Sequence, residues 1–258
     1  MEIPDVKKIL ASVAVAALIL AVSPAVSFAE DAKFTDAQRK EIETFIHDYV
    51  MAHPEVIMDS VDKYRQGAEA ESEKAFDEKI KTSGDALYND PSSPVAGNKK
   101  GDVTIVEFFD YNCGYCKMAF KDVQTLLNED KNVRIVFKDI PILSEASHTA
   151  ARYALAADKQ GKYWDFHKAL MEKGGANNED SIKKVAADIG LDMEKLKTDA
   201  DSPETRAILE KNLDLARTIG ITGTPGFVIA DQALRGHYGI DAMRKIIAEA
   251  REKKDGKK

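Results

Sequence analysis

The chain has 258 residues, 44% of them hydrophobic, with 37 Lys and Arg against 44 Asp and Glu for a formal net charge of −7. That balance describes an ordinary globular protein, long enough for one large domain or two small ones. Its acidity argues against nucleic acid as a partner.

The first residues have the grammar of an export signal. "MEIPDVKK" is a short charged start carrying Lys7 and Lys8, and "ILASVAVAALILAV" is an apolar run too short to span a bilayer comfortably. "SPAVSFAED" then places small residues at Ser27 and Ala29, suited to cleavage after Ala29. Residues 1–29 are therefore expected to be a cleaved signal peptide and the mature protein to be periplasmic; the alternative is an uncleaved membrane anchor. Glu2 and Asp5 offset Lys7 and Lys8, so cleavage leaves the charge of −7 unchanged.

Residues 30–88 read as a helical extension. Thr35 and Gln38 make a capping-box start. Ile42, Phe45, Ile46, Tyr49 and Val50 then form an apolar stripe at helical spacing. Pro54 ends or bends that helix. A second one follows from about Glu55, with Val56, Ile57, Val61 and Tyr64 apolar, and grades into "AEAESEKAFDEKIK". A stripe this long needs cover, either from its own domain or from further copies of the chain. Residues 89–101, within "YNDPSSPVAGNKKGD", read as a turn-rich linker.

The core begins with "VTIVEFFDY", a buried-strand pattern. The helical "CKMAFKDVQTLLNE" follows, with Met118, Val123 and Leu127 apolar, and then a second strand, "NVRIVFKDIPI". Strands joined through a helix imply a parallel pair. Residues 142–218 are helical throughout, an insertion. "TPGFVIADQALRG" reads as a hairpin turning near Asp231 and Gln232, and "DAMRKIIAEAREKK" as a closing helix. The expected architecture is thus an α/β domain, residues 102–141 and 219–253, opened in the middle by a helical insertion and followed by a basic tail at 254–258.

Both cysteines of the chain, Cys113 and Cys116, sit where the first strand gives way to a helix. Two thiols this close in an oxidising compartment do not sit idle. As a staple they would close the smallest useful loop, for roughly 2 kcal/mol. As a zinc site they lack a second pair of ligands, because His47, His53, His148, His167 and His237 are scattered. A redox couple is the best reading. Free amides and the positive helix end lower the pKa of a thiol at Cys113 from about 8.5 toward neutral or below. Cys113 would attack a substrate disulfide, and the less exposed Cys116 would resolve the mixed disulfide.

Two further positions bear on that chemistry. Pro225, after Thr224 in "ITGTPGFV", precedes a strand. A cis Thr224–Pro225 bond would turn the Thr224 backbone toward the cysteines to pair with an extended substrate, whereas a trans bond would simply end a loop. Glu107 interrupts an otherwise apolar strand and shares a face with Phe109 and Tyr111. Buried, it would exchange a proton with Cys116; on a partly wet face it would be a surface acid. Asp110, near the strand end, is expected to be exposed.

"VEFFDYNCGYC", the helical insertion and "TPGF" resemble the DsbA-like branch of the thioredoxin superfamily of secreted thiol–disulfide oxidoreductases. "HPEVI" and "DPSSPVAGN" resemble the suppressor-of-copper-sensitivity protein C (ScsC) group within it. The resemblance implies a thioredoxin fold with an inserted helical domain, Cys113 as nucleophile, Cys116 as resolving thiol, Pro225 as a cis-proline and Glu107 as the family's buried acid. It also implies a homo-oligomer, a trimer being typical of the group, kept reduced by a membrane thiol reductase. The clients would be unfolded or misfolded secreted proteins with disulfides.

Between the cysteines this chain carries Gly114 and Tyr115, where DsbA oxidases carry Pro-His, and Thr224 where they carry valine. Both departures resemble the isomerases. The expected activity is isomerase or reductase more than primary oxidase, with a potential between about −270 and about −120 mV. No organic cofactor or metal is expected beyond the dithiol itself, with Cu(I) binding as a side activity. The alternatives are a DsbA-type dithiol oxidase and a copper-binding periplasmic protein.

Overall fold

The structure, a computed structural model, describes residues 34–256. The expected signal peptide at residues 1–29 and the last two residues of the basic tail lie outside the described residues. The chain divides into two compact units, with the boundary between Lys63 and Tyr64.

In the first unit, α1 (Asp36–Ala52) starts at the expected capping box: the Gln38 amide donates to Thr35 Oγ1 at 3.3 Å, and Gln38 Oε1 accepts the Thr35 amide at 3.0 Å. It stops at His53, ahead of Pro54, and α2 (Glu55–Thr82) follows. No side chain of α1 is buried, and Ile42, Phe45, Ile46 and Tyr49 all lie exposed, Phe45 to 70%.

The second unit is built on one mixed sheet in the order β1-β3-β2-β4-β5. At its centre, β2 (Val103–Phe109) runs parallel to β3 (Val133–Asp139), the expected crossover pair, with α4 (Gly114–Glu129) between them in the chain. On the other side of β2 lies β4 (Gly226–Ile229), antiparallel, which turns through Ala230 and Asp231 into β5 (Gln232–Arg235). The chain closes with α10 (Ile240–Asp255).

Both central strands are buried on both faces, which decides where the rest of the chain goes. Val103, Ile105, Phe109, Val133, Ile135 and Phe137 face one layer, which holds α4, α10 and most of the insertion. Val106, Phe108 and Val136 face the other, where Phe76 and Ile80 of α2 and Leu87 of α3 (Gly84–Tyr88) cover them. The expected extension at 30–88 is therefore divided. Its second half belongs to the second unit, where Phe76, Ile80 and Leu87 join Leu215, Ala216 and Ile219 over that sheet face.

The expected linker at 89–101 also changes character, since Val95–Gly97 form β1 and pair antiparallel with β3. Gly97 has φ 77°, and a Cβ there would stand 2.5 Å from the Val133 carbonyl oxygen. Glycine is what lets this strand close on its neighbour. Just before it, the wholly buried Lys138 of β3 donates to Asp90 at 3.1 Å and to Ser93 Oγ at 2.7 Å, and Lys211 reaches the same Asp90 oxygen at 3.1 Å. Burial alone would raise the Asp90 carboxyl; the hydrogen bonds from Ser92 and the Lys138 ammonium outweigh it and hold it below the usual carboxylate range.

The insertion comprises α5 (Glu145–Asp158), α6 (Tyr163–Glu172), α7 (Glu179–Asp188), α8 (Met193–Ala200) and α9 (Pro203–Thr218). Tyr163, Phe166 and Leu170 of α6 belong to the same apolar cluster as Phe109, Phe120 and Phe137. The insertion is fused to the sheet rather than hung from it.

Candidate active site

The cysteines meet where β2 ends and α4 begins. Cys113 is the N-cap of α4: its sulfur accepts the Cys116 amide at 3.3 Å, and its carbonyl accepts the Lys117 amide at 3.2 Å. Its side chain is 6% exposed, while Cys116, one turn inward, is fully buried. Both are free thiols. Gly114 and Tyr115 fill the first turn, with Tyr115 65% exposed beside the pair and Gly114 open to solvent.

From across the sheet, the loop before β4 brings Thr224 and Pro225. The Thr224–Pro225 bond is cis, and the Cys113 thiol donates to the Thr224 carbonyl oxygen at 3.3 Å. Two segments 111 residues apart thus touch at the sulfur.

The two sulfurs are driven in opposite directions. The Cys113 thiol is lowered to about 6, first by the hydrogen bond from the Cys116 thiol, against burial, and then by the Thr224 side chain and the Cys116 and Tyr115 amides. The sequence pointed to the capping amides and the positive helix end; the neighbouring thiol is the stronger partner. Burial pushes Cys116 far upward, and its hydrogen bond to Cys113 adds to that. One sulfur is an anion near neutral pH, while the other keeps its proton.

Glu107 is completely buried, and neither carboxyl oxygen finds a hydrogen-bond partner among the described residues. Burial first, then Asp139 and Cys113, push its pKa up to about 8. The wet-face alternative for Glu107 does not hold. Nor is Asp110 exposed: at 1% accessibility it accepts the Asn112 amide at 2.7 Å and the Ile142 and Leu143 amides at 2.9 and 3.1 Å. Three orphan amides at two loop starts require an acceptor there, which is why a carboxylate at a strand end turns inward.

The sequence gives no local sign of a second layer of support. Asn112 Oδ1 accepts the Asn177 amide at 2.6 Å, and its Nδ2 donates to the Asn177 carbonyl at 3.1 Å. Asn177 Nδ2 in turn donates to the Tyr111 carbonyl at 2.9 Å. Lys117, beside Cys116, donates to the carbonyls of Lys173 and Gly175. The loop after α6 thereby holds the turn before Cys113 and the first turn of α4.

Several known proteins are similar to this chain. The DsbA-like thioredoxin domain matches residues 104–248, and the N-terminal domain of copper resistance protein ScsC matches residues 38–71. A thioredoxin-like oxidoreductase from Silicibacter pomeroyi is 46% identical, with 65% of this chain and 97% of that one covered and a TM-score of 0.64. A linker-deletion variant of Proteus mirabilis ScsC is 27% identical, with 87% of this chain and 100% of that one covered and a TM-score of 0.64. Disulfide bond formation protein D of Bacillus subtilis is 27% identical over 66% of this chain and 83% of its own length. The chain also matches sodium/proton antiporters of Salinispora, but spans only 24% of their length.

Proposed function

Given that the chain belongs to the DsbA-like thioredoxin family, we propose that it exchanges disulfides of periplasmic proteins through Cys113 and Cys116, as an isomerase or reductase more than as a primary oxidant. The observation that carries this reading is the Cys113 sulfur, lowered to about 6 at the head of α4 and touching the Thr224 backbone. The Cys113 thiolate attacks one sulfur of a client disulfide; the other sulfur leaves as a thiolate and takes a proton from solvent. In isomerisation a second client thiolate attacks the mixed disulfide and releases Cys113, with no net change in oxidation. In reduction Cys116 gives its proton to Glu107 and attacks Cys113. The client leaves as a thiolate that takes a proton from solvent, and the enzyme keeps the disulfide.

Two features favour shuffling over oxidation. Gly114 and Tyr115 put no imidazole beside Cys113, and among the described residues His167 bonds Tyr111 and His237 bonds Asp122 rather than the sulfur. A thiolate lowered only to about 6 leaves the disulfide less oxidising than one held by an imidazolium. The exposed stripe of α1 and the ScsC-type match at residues 38–71 support a homo-oligomer, with a trimer favoured. Such an assembly holds a misfolded secreted client near several thiols at once, with a membrane thiol reductase restoring the dithiol. The pair of soft sulfurs one helical turn apart is also suited to Cu(I) as a side activity. Among the described residues no helix is long and apolar enough to cross a membrane.

Refolding of scrambled ribonuclease tests the reading. Activity is lost in Cys113→Ser, and Cys116→Ser accumulates mixed disulfides with the client. Full activity in Cys113→Ser ends the proposal. A redox potential near about −120 mV would instead favour the dithiol oxidase.

A further inference from the structure

Glu107 is not the only buried acid beneath the cysteines. Asp139, the last residue of β3, is 1% exposed, and both its carboxyl oxygens, like both of Glu107's, find no hydrogen-bond partner among the described residues. The two strands run parallel with Glu107 opposite Phe137 and Phe109 opposite Asp139, so the two acids stand on neighbouring strands two positions apart. Alternation puts both on the face of Ile105, Phe109, Ile135 and Phe137, within one apolar cluster.

Among the described residues no cation offsets them. Lys138 lies next to Asp139 in the chain but on the opposite face of the sheet, where Asp90 and Ser93 hold its ammonium. The groups acting on the pair are Cys113 from α4, Asp110 from the loop before it and Asp158 from α5, each of which disfavours a carboxylate. Tyr111, Tyr163 and His167 complete the polar surroundings; His167 is kept neutral by its burial, and its Nδ1 lies 3.1 Å from the Tyr111 hydroxyl. Two carboxyl groups in such a place cannot both ionise at neutral pH.

We propose that Glu107 and Asp139 form a buried acid pair that holds one proton between them, and that Asp139 sets the pH at which Glu107 takes up the proton of Cys116. The proposal rests on the oxidoreductase reading and extends it. In the resolving step the Cys116 S–H bond breaks, and its proton goes to the Glu107 carboxylate. The Cys116 sulfur forms a bond to Cys113, and the bond from Cys113 to the client sulfur breaks, the client leaving as a thiolate. The pair then holds two protons and returns one when the disulfide is next reduced. Asp139 touches no reacting atom and is a positioning residue. Raised acidity thresholds at both carboxyls, from burial first at each, accord with this sharing.

The reduced protein with 5,5′-dithiobis(2-nitrobenzoate) separates the steps. Attack by Cys113 releases a first nitrothiobenzoate, and attack by Cys116 on the mixed disulfide releases a second. In Asp139→Asn the pH midpoint of the second release is expected to shift by about one unit, because the carboxyl that holds the pair's proton while Glu107 is ionised is gone, whereas the first keeps its native midpoint. In Glu107→Gln the second release slows about tenfold or more at pH 7.

A second-release midpoint in Asp139→Asn equal to the native one, with a normal first release, overturns the acid pair alone. Loss of the first release in the native protein would instead sink the oxidoreductase reading. Infrared spectra of the native reduced protein need no variant. A protonated-carboxyl band persisting at pH 7 is the expected result, and its absence would also overturn the pair.

Discussion

The side chain of Asn112 faces the backbone of Asn177 as one strand faces another, accepting its amide at 2.6 Å and donating to its carbonyl at 3.1 Å. Asn112 immediately precedes the cysteine that caps α4, so the helical insertion holds the residue on which the thiolate depends. Asn177→Ala removes the Asn177 Nδ2 donation to the Tyr111 carbonyl, a buried hydrogen bond, and should cost about 1–3 kcal/mol in urea unfolding. Thiolate absorbance should show the Cys113 midpoint rising from about 6 toward that of an ordinary thiol. An unchanged midpoint would mean that the cap does not depend on the Asn177 side chain.

Glu107 makes stability depend on pH with a definite sign. Its carboxyl is raised from 4.5 to about 8 in the folded state. The fold therefore carries no charge cost below about pH 4, and loses stability as the pH rises through 4.5 toward 8. Glu107→Gln removes that dependence. Relative to the native protein it should be about as stable at pH 4 and more stable by a few kcal/mol at pH 8, read from denaturant midpoints at each pH. A constant difference between the two proteins across this range would refute the assignment.

Truncation separates the two units. A chain beginning at Tyr64 keeps Phe76, Ile80 and Leu87 over Phe108 and Val136, and should retain a cooperative thermal transition and disulfide exchange. One beginning at Val95 removes Phe76, Ile80 and Leu87 from that sheet face and leaves Lys138 without Asp90 or Ser93; it should aggregate or melt at a lower temperature. Light-scattering mass of the Tyr64 form should fall to that of a monomer. An oligomer persisting without residues 30–63 would place the self-contact elsewhere.

The sequence shows most clearly what rests on local rules. The capping box at Thr35 and Gln38, the stop before Pro54, the β-α-β crossover around Cys113 and the hairpin at Asp231 all follow from spacing and turn chemistry. Glu107 was visible as a charge inside an apolar alternation. Asp110 and Asp139 obey the same rule but stand at strand ends, where alternation predicts nothing, and only the loops and helices packed over them decide their burial. β1 was hidden by its prolines and glycine, because a three-residue edge strand is made by its partner and not by its own propensity. The Asn112–Asn177 clasp joins positions 65 residues apart and carries no periodic signature.

The sheet has two outer strands, β1 with three residues and β5 with four. A protein whose proposed work presses it against extended, unfolded polypeptides risks having those polypeptides zip onto its own rim. Borders this brief give a visiting chain too little ladder to grip. Clients can then be engaged at the sulfur and let go, instead of being recruited into a growing sheet.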